Sequence, residues 1–148
     1  MTLPNTVDSP YFRLFNISGI YTLPPTSLDL ENVTEVSATA TLATYEVLHP
    51  MPDAYKIFIK GDACFRFNYS DPHACSQVHS LNYTHPFSVY IPIEYGVSEQ
   101  TFNLHPLIVD CYGIGLSSRT LYYNLTLIAI ASVSSIKGGG IHECCTLF

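Results

Sequence analysis

Histidine and cysteine are the residues of this chain best suited to ligate a metal or act as nucleophiles, and their spacing serves neither purpose. His49, His73, His79, His85, His105 and His142 show no i, i+4 helical pairing and no Cys-x-x-Cys partner, the spacings that bring zinc ligands together. His49, His85 and His105 each precede a proline, which is a turn context. His142 stands beside Cys144 and Cys145, a grouping too sparse to define a metal site. No Gly-x-Ser-x-Gly elbow and no framed Cys–His pair supplies a nucleophile with its base. Asp110 lies in an apolar run with the parity of Ile108 and Tyr112 and reads as an outward residue paired across a strand. The chain therefore reads as non-enzymatic, with no catalytic residue, metal or cofactor.

The chemistry that the sequence does encode is modification. Five of its seven Asn stand in Asn-x-Ser/Thr: Asn16, Asn32, Asn68, Asn82 and Asn124. Ser and Thr make up 27 of 148 residues, so chance alone places roughly one such triplet among seven Asn. Five imply a glycosylating secretory route, a secreted or luminal location, and a surface position for each Asn. Residues 1–15 have neither a basic segment nor an apolar one, so they do not read as a signal peptide. The terminal Cys145-Thr-Leu-Phe148 fits a short prenylation pattern that needs the cytosolic side. It competes with the sequons, which are favoured by number.

The same compartment bears on the five cysteines. Cys64 and Cys75 bracket a short polar segment and are the expected disulfide pair. Cys111 is left open between pairing with Cys144 or Cys145 and a buried thiol. A net charge of −6 with six Lys and Arg gives no electrostatic footprint for nucleic acid.

These residues must be carried by strands. Tyr, Phe, Val and Thr are abundant, and no helical stripe of useful length is present. Residues 11–21 predict one or two short edge strands. Val36, Ala38, Ala40 and Leu42 share one face, after which the parity slips to Tyr45 and Val47, as at a bulge. His49–Asp53 predicts a turn, and residues 54–60 predict a strand ended by Gly61-Asp62. Inward rows are expected from Tyr55, Ile57 and Ile59, from Phe87, Val89, Ile91 and Ile93, from Leu107, Val109 and Cys111, and from Leu121, Tyr123, Leu125 and Leu127. An outward, glycosylated Asn124 sets the register of the last row. The expected architecture is all-β: an immunoglobulin-like antiparallel β-sandwich over residues 1–131, with an irregular Gly- and Cys-containing tail over 132–148.

The second half resembles the ML lipid-recognition family, which includes the Niemann–Pick cholesterol carrier and fungal phosphatidylglycerol transfer proteins. The likeness lies in the order of its features: Ala54-Tyr-Lys-Ile-Phe-Ile-Lys60, then Cys64, a polar segment to Cys75, Val89-Tyr-Ile-Pro-Ile93, Leu107-Ile-Val-Asp-Cys-Tyr112, and Leu121-Tyr-Tyr-Asn-Leu-Thr-Leu127. It departs from the family in having no cysteine before Cys64 and none in 121–127 to face Cys111. The resemblance implies a lipid or sterol held between two sheets by burial alone, at about 0.8 kcal/mol per CH₂. Its lining would be Tyr55, Ile57, Ile59, Phe87, Val89, Ile91, Leu107, Val109, Tyr123, Leu125 and Leu127. The competing expectation is a non-enzymatic structural or interaction sandwich, such as a subunit of an extracellular filament, coat or viral shell, that associates with itself or with a protein partner. An open or a filled inter-sheet space separates the two.

Overall fold

The computed structural model describes residues 11–52, 54–73, 77–94 and 101–133. Six strands follow in order: β1 (Tyr11–Thr22), β2 (Asn32–Met51), β3 (Ala54–Ser70), β4 (Val78–Ile93), β5 (Phe102–Gly115) and β6 (Thr120–Val133). They form two three-stranded sheets, β1-β6-β5 and β2-β3-β4, with every neighbouring pair antiparallel. The chain is thus the all-β antiparallel sandwich that its alternating sequence predicts.

The central strands β3 and β6 face each other. Inner side chains of β3 from Ile57 to Tyr69, and of β6 from Leu121 to Ala131, are almost wholly removed from water. Phe65 and Phe67 meet the Tyr123 ring at centroid distances of 4.6 and 5.7 Å. On one flank β1 meets β4, where Phe15 packs on Phe87 at 5.3 Å and Tyr21 on Tyr83 at 5.2 Å. On the other flank β5 meets β2 so closely that a Cβ on Gly113 would stand 2.6 Å from Val36 Cγ2. Full burial of each such aliphatic or aromatic side chain stabilises the fold by about 1.5–3 kcal/mol.

The expected slip in β2 is present as a register shift against β3 between Leu42 and Thr44. Two expectations need correction. Gly61 does not end a strand: β3 runs unbroken to Ser70, so residues 64–70 are strand rather than loop. Gly61 serves close approach instead, because a Cβ there would strike the Thr41 carbonyl and the Phe87 ring. In β5 the register shifts between Ile108 and Asp110. Leu107 pairs with Ile128, which lies on the outer face, and Val109, 56% exposed, sits within the bulge. Only after the bulge does Cys111, opposite Leu125, point inward.

The connection from β1 to β2 is pinned by Arg119 of the β5–β6 turn. Its guanidinium donates to the carbonyls of Ser27 (2.7 Å) and Pro24 (2.5 Å) and meets Asp29 Oδ1 at 3.0 Å.

Candidate functional site

Nine of the eleven residues expected to line a ligand space do face between the sheets; Leu107 and Val109 do not. Those nine pack on one another. Ile57, Ile59, Leu125 and Leu127 are 0% exposed and Ile91 is 1% exposed, so no water-sized void adjoins them. Tyr55 and Phe87 lie at the margins, half-buried against the same clusters. The inter-sheet space at these residues is filled by side chains.

Cys64 is a free, exposed thiol on the outer face of β3, with its Sγ 3.7 Å from Thr84 Oγ1. The pairing expected with Cys75 is not formed at Cys64, and Cys75 itself lies outside the described residues. Cys111 is a free, half-buried thiol whose pKa is raised, chiefly by burial and then by Asp110. Cys144 and Cys145 also lie outside the described residues.

All five sequon Asn sit on outward positions. Asn32 and Asn68 alternate with the inner rows of β2 and β3, and Asn82 pairs with outward Arg66. These three share the outer face of β2-β3-β4. Asn16 and Asn124 share the outer face of β1-β6-β5. Asn124 is nevertheless only 9% exposed. Its Nδ2 donates to Tyr122 Oη at 3.0 Å and to Asn16 Oδ1 at 3.3 Å, while Asn16 Nδ2 donates to Asn124 Oδ1 at 2.9 Å and to Thr126 Oγ1 at 3.1 Å. The outward position expected of Asn124 holds, but its amide is covered: outward parity on a central strand does not make a side chain accessible when both flanking strands crowd it.

The two outer faces differ in kind. That of β2-β3-β4 is polar at its centre, with Ser37, Thr39, Arg66, Asn82 and Thr84 around Cys64 over a shallow open depression, and carries Phe58 with Tyr90 toward one end and Val78 at the other. That of β1-β6-β5 is oily at both ends. The cross-strand register places Phe12, Ile130 and His105 in one row, then Leu14, Ile128 and Leu107. At the far end Ile20, Tyr122 and Ile114 form another row. Phe12 is 58%, Leu14 59%, Ile20 64% and Ile114 52% exposed. Between the oily rows lies the closed polar network of Asn16, Asn124 and Thr126. The sequence held a signal for this face that alternation alone does not deliver: residues 127–131 are apolar at both parities, as in a strand covered on both sides.

Two polar groups lie inside or beside the core. Asp71, buried after the end of β3, accepts from His79 Nε2 at 2.7 Å, from the His73 backbone N–H at 2.9 Å and from His73 Nδ1 at 3.0 Å. The His79 contact first, then the His73 backbone N–H, hold its carboxyl well below the usual carboxylate range. Tyr123 Oη lies 2.7 Å from His85 Nδ1. Burial, then the neighbouring Tyr83 hydroxyl, pushes the Tyr123 pKa up to about 12. Among the described residues no group of three His, Cys, Asp or Glu side chains is arranged to hold a metal ion.

Comparison with protein-family models, curated proteins and solved structures finds no match to this chain.

Proposed function

We propose that this protein is a secreted or luminal, glycosylated interaction module that acts by binding through one sheet face rather than by catalysis. The observation that carries the reading is the contrast between its two outer faces: three sequon Asn on a face whose centre is polar, and half-exposed Phe12, Leu14, Ile20 and Ile114 grouped on the other. Exposed apolar side chains grouped at both ends of one sheet face are the kind of surface that marks interaction sites on otherwise soluble proteins. Sugar on β2-β3-β4 would keep that side in water; Asn16 and Asn124 on the other face, which hold each other's amides, would stay bare and leave β1-β6-β5 as the side that associates. A lipid held between the sheets is disfavoured, because its expected lining is closed on itself.

The test is cross-linking mass spectrometry on protein secreted from eukaryotic cells. Leu14→Lys with Ile114→Lys is expected to abolish cross-links, and Ser37→Lys with Thr39→Lys to leave them. Equal loss from both pairs, or from neither, would remove the special role of the face.

A further inference from the structure

We infer that the occupant of the β1-β6-β5 outer face is the same face of a second copy of this chain. The inference rests on the reading above that this face is for association, and adds the partner.

Three features select a copy over an unlike partner. The first is the symmetry of the pattern along the strands. Oily rows at Phe12–Ile130 and Leu14–Ile128 lie at one end, an oily row at Ile20–Tyr122–Ile114 at the other, and polar Asn16, Thr126, Ser18 and Asn124 between them. A two-fold axis lying in the contact plane, along the strands or across them, sets oily rows on oily rows and the polar centre on the polar centre. The second is charge. Asp110 is the one formally charged residue in these rows, so the face has almost nothing with which to recognise a partner of opposite sign, and almost nothing to repel its own image. The third is polar satisfaction. Asn124 and Asn16 bond each other, Tyr122 and Thr126, so the centre can leave water without orphaning its amides.

Size agrees. Phe12, Leu14, Ile20, Tyr112 and Ile114, each about half exposed, present on the order of 500 Å² of apolar surface. With the polar centre the face approaches the ~800 Å² per partner of a standard interface. Two such sheets would stack about 10 Å apart, as sheets do within one sandwich.

The experiment is light scattering of the full, glycosylated chain over a wide concentration range, beside Leu14→Glu and Ile114→Glu variants. Twice the monomer mass is expected for the wild type. Each variant is expected to weaken the dimer by on the order of tenfold or more, because it buries an unpaired carboxylate, with a thermal melt matching the wild type at concentrations low enough for both to be monomeric. Mixing Leu14→Glu with Leu107→Lys restores the dimer if the axis runs along the strands, because that axis exchanges β1 and β5 within a row, and mixing Leu14→Glu with Ile20→Lys restores it if the axis runs across them, because that axis exchanges the two ends of β1. A wild type that is monomeric throughout, or a dimer indifferent to both variants, overturns the second copy. Within the monomeric outcome, sedimentation with phosphatidylcholine vesicles that the variants lose reassigns the face to a lipid surface. A rise in apolar-dye fluorescence on removing residues 134–148 reassigns it to the chain's own end. No difference between wild type and variants in any of these measurements sinks the interaction face itself.

Discussion

Asn16 and Asn124 hold each other's amides across β1 and β6, with N···O distances of 2.9 and 3.3 Å. This reciprocal pair sets the first and last sequons of the chain apart from the three on the other face. Glycopeptide mapping of protein secreted from eukaryotic cells is expected to find sugar at Asn32, Asn68 and Asn82 and none at Asn16 or Asn124; sugar at Asn16 would block the face proposed to meet a second copy. Occupied Asn124 would mean that the β1–β6 outer face opens before or during modification. Asn124→Leu is expected to destabilise the fold by about 1 kcal/mol through loss of its hydrogen bonds with Asn16 and Tyr122.

Leu125 reports on whether the interior is packed or hollow. It is 0% exposed and belongs to the cluster that joins β6 to Phe65 and Phe67 of β3. Leu125→Ala is expected to cost about 2–5 kcal/mol in chemical denaturation, the range for a cavity opened in a close-packed core. A loss well under 1 kcal/mol, or a wild type that releases lipid into organic solvent, would indicate that the sheets enclose a ligand space.

Asp71 makes the β3–β4 end acid-sensitive. Its carboxyl titrates below its unfolded range because the charged form accepts from His79 and from His73. A carboxylate with a depressed folded pKa binds fewer protons folded than unfolded. The stability that it contributes is present above the unfolded value, about 3.9, and is lost as pH falls below it. Asp71→Asn is expected to lower the melting temperature at neutral pH and to flatten its decline below about pH 4. Melts across that range check both effects; parallel acid declines in wild type and variant would exclude this carboxylate as the source.

Tyr123 sets the alkaline limit in the same way with the opposite sign. Its folded pKa is pushed up to about 12, against an ordinary value near 10. Between these values the folded protein keeps a proton that the unfolded chain has lost, so stability falls as pH rises through that window. Tyr123→Phe is expected to remove part of this alkaline slope while losing the contact with His85 Nδ1. Tyr11, Tyr21 and Tyr112 are also raised, so ultraviolet titration should show one fewer late-ionising tyrosine in the variant than in the wild type.

What the sequence determined by itself was the alternation. Side chains in a strand point to opposite sides in turn, so the inward rows of β3 (Tyr55 to Ile59), β4 and β6, and the outward parity of Asn82 and Asn124, could be read from residue types and sequons. The slip after Leu42 was legible for the same reason. Parity cannot foresee where an extra residue enters a strand without changing its composition. The bulge between Ile108 and Asp110 therefore put Leu107 on the outer face and left Val109 exposed. Nor can it tell which strand will be central: Asn124 is covered because β1, from the far end of the chain, closes over one side of β6 while β5 takes the other. Gly61 looked like a terminator because only the fold brings Thr41 and Phe87 against it. These outcomes depend on contacts between residues far apart in the chain, and only the assembled sheets supply them.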